Sequence, residues 1–484
     1  MEKKVRHYKK SNQLISRIEK DIHIEIGEES KHVVPQTSKG LIDKSNRQPL
    51  NFTNFSANKA APQKETLTSI LNFKHTAPQN PSIVSTANGK IEKIFFTIPS
   101  YAIPINEREK NVYWDAYTDL FLNLPEHTYF LVLIHESSKS FFERWISNAR
   151  INPSRLEVGT IEDHLHFSVW AEDGYAITKD QNGQTWFTEP IKFPRYADGQ
   201  MAARAANISS LKSYKTPLYY QGGNILIGDN FFFIGADYPR NSLQNIGNAI
   251  SQPMDETPND FIKSLYKEYL DHKKELFYVG TALPVPEQTA TEFELNGEIW
   301  TNVLNRGNKE GTTQPLFHID MFISLAGRNS EGKYQILVGS PKLAEEIVGS
   351  LKAHKRYAMQ EIYDDIAENL AANPEFDVIR NPLPLVYVDD EVRKERLWYF
   401  ATANNCLVEN DGTQKTVWLP TYGHGSWAEL KATDTANRRI WENLGYKVNM
   451  LVDFHPFASN LGAVHCISKY LERSTTNNEN DVIS

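Results

Sequence analysis

The sequence has few cysteines, no long apolar run and no strong excess of charge. Cys406 and Cys466 are the two cysteines among 484 residues, too few for a disulfide framework, so we expect a reducing, cytoplasmic compartment. No stretch approaches the roughly 18 apolar residues of a membrane span, and the basic N-terminus lacks the apolar segment of a secretory signal. The net charge of -8 gives no reason to expect nucleic acid as a partner.

Regular secondary-structure signals begin only near residue 91. Residues 1–90 are polar and poor in aliphatic periodicity, which predicts a disordered N-terminal extension. Residues 91–472 are predicted to form the catalytic domain, and residues 473–484 a polar tail. A role of the extension in docking a partner, or in delivering an exported effector, is a hypothesis that rests on composition alone.

The domain alternates short apolar segments with amphipathic ones, which indicates an α/β architecture. Strands are predicted at 94–99, 128–135, 167–177, 223–235 (a hairpin), 276–280, 316–325, 334–338, 376–379, 397–408, 416–420 and 447–452. Helices are predicted at 112–124, 140–149, 258–273, 342–373 and 434–444. The order of two strands, a helix and a strand recurs about every 70 to 100 residues. A closed ring of such units would bring residues from distant parts of the chain to one central channel.

Four side chains suited to nucleophilic chemistry are spread along this domain. Cys466 follows a run of small residues, and Asp173 follows Trp170 by three positions. His318 and Asp320 are two positions apart on a predicted strand, so they should share one face. Two carboxylates beside a thiol suit a guanidinium substrate, because it offers a planar fork of donors and stays charged. Cys466 would attack the guanidinium carbon, and His318 would protonate the departing nitrogen and then activate water.

The motifs around these residues resemble those of the guanidino-group modifying, or pentein, superfamily over about residues 91–471. The matching segments are Trp170-Ala171-Glu172-Asp173, Gly222-Gly223-Asn224, His318-Ile319-Asp320-Met321-Phe322, Val464-His465-Cys466 and, more loosely, Ala403-Asn404-Asn405-Cys406-Leu407. They are similar to the W-x-x-D, G-G-N, H-x-D and V-H-C motifs of the protein-arginine and agmatine deiminase branches. The resemblance implies a five-bladed α/β propeller of repeated ββαβ units around a central channel.

The resemblance also implies roles for individual residues. Cys466 would be the nucleophile, His318 the acid and base, and Asp173 and Asp320 the carboxylates that bind the guanidinium. The implied substrate-binding residues are Trp170, Gln221, Asn224 and Asn405. No cofactor is expected, because no acidic loop supports the calcium dependence of the protein-arginine branch. A metal site at His318, Asp320 and His465 is disfavoured, since these residues lack the ligand spacing of zinc motifs.

Two departures from the family pattern bear on the predicted substrate. Glu172 replaces the arginine of the W-x-R-D form in the agmatine branch, and Gln221 stands where a glutamate is common before G-G. Together with the form of the H-x-D segment, Glu172 favours an arginine within a peptide or protein, converted to citrulline and ammonia through a covalent thiouronium. Free arginine or agmatine as substrate, amidino transfer to an amine, and a pentein that only binds a partner remain alternatives.

Each of these residues also has a structural interpretation when it is considered alone. An aspartate after a strand is commonly a turn residue or helix cap, and a histidine in an apolar segment commonly belongs to the core. A buried cysteine commonly packs as a small hydrophobic residue, which is the role predicted for Cys406. The functional interpretation depends on the four residues occurring together in the family order.

Overall fold

The domain is a mixed α/β structure, described in the computed structural model for residues 77–106, 109–247, 257–307 and 313–474. The strands are β1 Ser82–Ile83, β2 Lys90–Ile98, β3 Tyr129–His135, β4 Leu156–Ile161, β5 Ala176–Lys179, β6 Thr185–Glu189, β7 Lys212–Lys215, β8 Ile225–Ile227, β9 Phe231–Gly235, β10 Glu275–Val279, β11 Thr289–Leu295, β12 Glu298–Leu304, β13 Ile323–Arg328, β14 Tyr334–Ser340, β15 Phe376–Pro382, β16 Leu385–Asp390, β17 Glu395–Phe400, β18 Leu407–Asn410, β19 Lys415–Thr421, β20 Lys447–Asp453 and β21 Lys469–Ser474. The helices are α1 Val112–Asn123, α2 Lys139–Asn148, α3 Met201–Ile208, α4 Asp237–Gly247, α5 Pro258–Tyr269, α6 Pro341–Val348, α7 Lys355–Ala358, α8 Gln360–Ala371, α9 Lys431–Asn443 and α10 His455–Ala458. Within these ranges, no helix combines the length and apolar character needed to cross a membrane.

Five of the six sheets formed by the described residues share one pairing pattern. Each has a strand that pairs antiparallel with one neighbour and parallel with another, and the parallel connection contains at least one helix and no other described strand. These strands are β6, between β5 and β7; β9, between β8 and β10; β14, between β13 and β15; β19, between β18 and β20; and β2, between β21 and β3. The predicted recurrence of strands and helices is therefore present, and β21 joins the C-terminal part of the domain to β2. The closed five-bladed ring itself stays a prediction.

The sixth sheet, in the order β11-β12-β17-β16, was not predicted. Its first hairpin turns at Asn296-Gly297, where both residues have positive φ angles of 55° and 79°. An Asn-Gly pair between strands is a strong hairpin signal, because both residues tolerate this backbone region. The sequence therefore contained the cue for β11 and β12, whereas the parallel pairing of β12 with β17 brings together segments far apart in the chain.

The first unit shows how local sequence builds these layers. Asn111 caps α1 by accepting hydrogen bonds from the backbone N–H groups of Tyr113 and Trp114. The apolar face of α1 then packs on β2, where the Phe96 ring meets the rings of Tyr117 and Phe121 at 5.7 and 5.4 Å. Helix and sheet thus bury their apolar faces against each other, which leaves the strand ends to carry loops.

Described structure is present beyond the predicted domain limits at both ends. Ser82 and Ile83 pair with β5, and Ala87 is fully buried, so residues before 91 contribute to the fold. At the other end, β21 continues through Ser474. The remainder of the predicted extension, residues 1–76, and of the predicted tail, residues 475–484, lies outside the described residues.

Three predicted strands contain loops of several residues, and all three carry candidate site residues. Residues 167–175 precede β5 without strand structure, residues 401–406 separate β17 from β18, and a 3-10 turn at Ile319–Met321 precedes β13. These segments are apolar because they are buried, and their backbones do not form the hydrogen bonds of a β-sheet. The expectation that His318 and Asp320 share one face of a strand was therefore wrong, since a 3-10 turn sets their relative positions.

Candidate active site

Loops at the ends of three sheets bring the four predicted chemical side chains together. The carboxylate of Asp320 lies 3.6 Å from the Sγ atom of Cys466, and Nδ1 of His318 lies 3.5 Å from Oδ1 of Asp173. The backbone N–H of Glu172 donates to the carbonyl of Cys466 at 3.1 Å, which fixes the Asp173 loop against the cysteine turn. None of the four side chains belongs to a residue more than 3% exposed, so the site is closed to bulk water.

Each carboxylate of the site has one oxygen held and one oxygen unpaired. Oδ2 of Asp173 accepts from Nη2 of Arg195 at 2.7 Å, and Oδ2 of Asp320 contacts Nδ1 of His465 at 2.8 Å. Within the described part of the chain, Oδ1 of Asp173 and Oδ1 of Asp320 are buried without a hydrogen-bond partner. Because an unpaired buried acceptor is costly, this arrangement favours a ligand that brings its own donors.

Asn405 holds the turn that carries Cys466. Its Oδ1 accepts from the backbone N–H groups of Ala463 and Cys466 at 3.0 and 3.1 Å, and its Nδ2 donates to the Cys466 Sγ at 3.1 Å. Burial raises the pKa of the Cys466 thiol well above its ordinary value, and the nearby Asp320 and Asp173 raise it further. The free site therefore holds a thiol, and nearby positive charge is needed to make a thiolate.

His318 is held so that one ring nitrogen remains available. Its Nε2 is 2.7 Å from Oε1 of Gln221, and its ring stacks on Phe317 with centroids 3.8 Å apart. Among the described residues, Nδ1 has no hydrogen-bond partner. Burial lowers the pKa of His318, although Asp173 and Asp320 oppose the shift. A neutral imidazole with Nδ1 facing the site can accept a proton and later return it.

Asp320 changes its protonation state in the neutral range. Burial raises the pKa of this carboxyl to about 7, Asp173 adds to the shift, and His318 opposes it. A cationic ligand would be attracted to the ionised form, so the charge that the site offers to such a ligand changes near neutral pH.

The four predicted substrate-binding residues contact the chemical side chains or the turns that carry them. Gln221 bonds His318 and Asn405 bonds Cys466, whereas Asn224 accepts at 3.2 Å from the backbone N–H of Ile319, between His318 and Asp320. The ring of Trp170 lies against Gly462, where a Cβ atom would approach it to 2.2 Å. These residues therefore position the site, and direct contact with substrate stays a prediction.

No protein-family model matches this sequence, and no curated protein matches it either. Solved structures do resemble it. A candidate agmatine deiminase solved as a structural-genomics target is 14% identical, with a TM-score of 0.53, and the match covers 82% of this chain and 96% of that one. The agmatine deiminase of C. jejuni is 12% identical, with a TM-score of 0.51 and coverage of 82% and 97%. This chain has the pentein fold. At these identities the likeness shows the fold and nothing further.

Sequence reasoning missed two contacts of the candidate site, those of Arg195 and His465. Arg195 lies in a loop without a recognisable motif and bridges Asp173 and Asp198. His465 is adjacent to the nucleophile in the V-H-C motif, so it was visible in the sequence but had no assigned role. In the described ranges, no cluster of three or more His, Cys, Asp or Glu side chains is arranged to hold a metal ion.

Proposed function

We propose that this protein is a cysteine-dependent hydrolase of a guanidinium group, which converts it to a ureido group and releases ammonia. The observation that carries the proposal is the pair of unpaired carboxylate oxygens, Oδ1 of Asp173 and Oδ1 of Asp320, beside Cys466 and His318. A guanidinium supplies planar donors to both sides and a positive charge to balance the carboxylates. The five sheets with a common pairing pattern support the further proposal that the domain closes as a five-bladed propeller.

The proposed reaction uses each group in its observed environment. The positive charge of the bound guanidinium would offset the negative charges of the two carboxylates and lower the pKa of the Cys466 thiol. The thiol proton would then pass to Nδ1 of His318. The thiolate Sγ then attacks the guanidinium carbon, and His318 gives that proton to the departing nitrogen, which leaves as ammonia. Water then attacks the carbon of the resulting thiouronium, and His318 accepts one proton of the water. Cleavage of the carbon–sulfur bond, with the remaining hydroxyl proton passing to the sulfur, releases the ureido product and the Cys466 thiol. His318 gives its proton to solvent and is neutral again.

We propose an arginine residue of a peptide or protein as the preferred substrate. The form of the His318-to-Phe322 segment and the replacement at Glu172 support this choice over agmatine. The burial of the four side chains also supports a guanidinium on a long flexible stem, which an arginine side chain provides. Free arginine carries the same stem, so the test must include it.

The test is an assay of ammonia and of the ureido group with an arginine-containing peptide, free arginine and agmatine as substrates. Cys466→Ala should abolish both products on every substrate, because it removes the attacking sulfur. Cys406→Ala is the matched control: Cys406 is also buried, but its sulfur contacts Ser324, at 3.9 Å, and its pKa is raised to about 12. This variant should retain the activity.

Two outcomes would redirect the proposal. Formation of a new guanidino compound only when an acceptor amine is added would establish amidino transfer, which the same four residues could perform. Absence of turnover with every substrate, with and without calcium or an acceptor amine, would exclude the deiminase and leave a role in binding.

A further inference from the structure

A buried histidine that the proposed reaction does not use contacts the Asp320 carboxylate from behind. Nδ1 of His465 lies 2.8 Å from Oδ2 of Asp320, and the same oxygen lies 3.6 Å from the Sγ atom of Cys466. Asp320 therefore uses Oδ2 for the protein and leaves Oδ1 without a hydrogen-bond partner in the described residues. His465 thus contacts the oxygen that also faces Cys466, and Oδ1 stays open to a ligand.

The surroundings of His465 place its ring proton toward Asp320. Its Nε2 is 4.0 Å from Oε2 of Glu172, which is too far for a direct hydrogen bond. Glu172 is held instead by Lys469, whose Nζ donates to Oε1 at 2.5 Å. A neutral histidine carries its proton on the nitrogen with an acceptor in reach, and here that nitrogen is Nδ1. Residues Glu172, His465 and Lys469 also line a small cavity behind the site, with Gly222 and Tyr470.

Burial favours the neutral form of His465, and the charged groups around it act in both directions. Burial lowers the pKa of His465, Glu172 and Asp173 oppose this shift, and Lys469 and Arg473 add to it. The Tyr470 ring packs beside it with centroids 5.8 Å apart. His465 is therefore available as a neutral donor to Asp320.

Asp320 itself is faced by groups of both signs. Asp173 disfavours its ionised form, and His318 favours it. The nearby Cys466 thiol and Asn405 amide also favour ionisation. A donated hydrogen bond to a buried carboxylate stabilises the charge, so losing the His465 donor should shift the balance toward the protonated acid.

We propose that His465, with Glu172 held away by Lys469, keeps the Asp320 carboxylate ionised and so sets the affinity of the site for a guanidinium. His465 is a positioning residue, since it acts through Asp320 and does not touch the reacting atoms. The inference rests on the proposed function for its consequence, because only a cationic ligand requires Asp320 to be charged.

The first measurement needs no substrate. The protein is labelled with carboxyl-13C aspartate, the Asp320 resonance is assigned by its loss in Asp320→Asn, and its titration is followed by NMR. In His465→Leu the midpoint should rise by about one pH unit or more, because the donor is lost. In His465→Asn the amide Nδ2 lies close to the place of Nδ1 and can still donate, so the midpoint should remain near that of the wild type. An unchanged midpoint in His465→Leu would overturn the proposal.

The second measurement is the affinity of an arginine-containing peptide in the Cys466→Ala background, where no turnover occurs. His465→Leu should weaken binding at pH 7 about tenfold, and the affinity should be regained as the pH rises. His465→Asn should bind at pH 7 with an affinity near that of the protein that keeps His465. A loss that persists at high pH would indicate a packing defect and refute the proposed role. If the Cys466→Ala protein binds no guanidinium compound, the proposed function fails, and the NMR titration still decides whether His465 controls Asp320.

The matched control is His455→Leu. His455 is also buried, with Nδ1 at 2.8 Å from the Tyr399 hydroxyl and Nε2 at 2.8 Å from the Tyr422 carbonyl. Its loss should leave both the Asp320 titration and the affinity per folded molecule unchanged. A shift equal to that of His465→Leu would assign the effect to general loosening of the core and contradict the inference.

Discussion

Two buried aspartates, Asp320 in the candidate site and Asp434 in the first turn of α9, differ in how their oxygens are paired. Both oxygens of Asp434 accept from the backbone N–H of Tyr422, and Oδ2 also accepts from Gly423 at 2.7 Å. Asp320 leaves Oδ1 without a partner in the described residues. A buried carboxylate whose two oxygens both accept hydrogen bonds stabilises the fold. One with an oxygen that accepts none can still bind a ligand that donates hydrogen bonds.

The difference between the two aspartates is tested most directly by replacing each carboxylate with an amide. Asp320→Asn should reduce ammonia release about a thousandfold or more, because it removes a charge that binds the guanidinium, yet raise the melting temperature at pH 8. Asp434→Asn should keep the activity per folded molecule and lower the melting temperature. The reason is that the N–H groups of its amide would face backbone N–H donors, at a cost of about 1–3 kcal/mol. Activity per folded molecule and thermal unfolding are the two measurements. Loss of activity in folded Asp434→Asn would contradict the distinction.

A second test concerns Oδ2 of Asp173, the oxygen that accepts a hydrogen bond from Arg195. Arg195→Gln leaves the buried Asp173 and Asp198 without their cation and should lower the free energy of unfolding by about 3–5 kcal/mol. The control is Arg204→Gln, which breaks the half-exposed pair with Glu162 and should cost less than about 1 kcal/mol. Urea unfolding measures both, and equal losses would refute the structural role of Arg195.

The two aspartates should also differ in the pH range over which they affect stability. Their pKa values are raised by burial to about 7 for Asp320 and about 6 for Asp434, from an ordinary 3.8. The folded state therefore binds more protons than the unfolded state over these ranges, so stability is fully present at low pH and is lost as the pH rises. The loss is at most about 1.4 kcal/mol per pH unit for each group.

This difference can be measured by urea unfolding at several pH values. Asp320→Asn should remove a decline in stability that continues to about pH 7, whereas Asp434→Asn should remove one that ends near pH 6. Identical pH profiles for the two variants would show that the environments of the two carboxylates do not differ as described.

The smallest expected effect concerns the space beside the Asp320 carboxylate. A Cβ atom at Gly223 would lie 2.6 Å from Nδ1 of His318 and 3.0 Å from Oδ2 of Asp320, so Gly223→Ala must displace one of them. We expect kcat/KM to fall about ten- to a hundredfold, as for other small misplacements of reacting groups. Gly199→Ala, whose Cβ meets nothing closer than 3.5 Å, should retain activity. Equal activity of both variants would show that the site tolerates such displacement.

Glu172 illustrates why the sequence could not supply these contacts. It stood out as a departure from the W-x-R-D pattern, and its partner Lys469 lies 297 positions further along the chain. Gln221 and His318, which bond each other, are 97 positions apart. No local pattern links such residues, since their contact depends on how separate sheets pack.

The sequence alone predicted the recurrence of strands and helices, apart from the sixth sheet, and it named Cys466, His318, Asp173 and Asp320 as candidate site residues. Apolar periodicity and short motifs are local properties, so they can be read from one segment at a time. Only the tertiary structure decided which oxygen of each aspartate is held, through Arg195 and His465, and which is left unpaired. The physical reason is that donors from distant segments set both the charge of a buried carboxylate and the number of hydrogen bonds that its oxygens accept. These donors reach the carboxylate only after the sheets have packed.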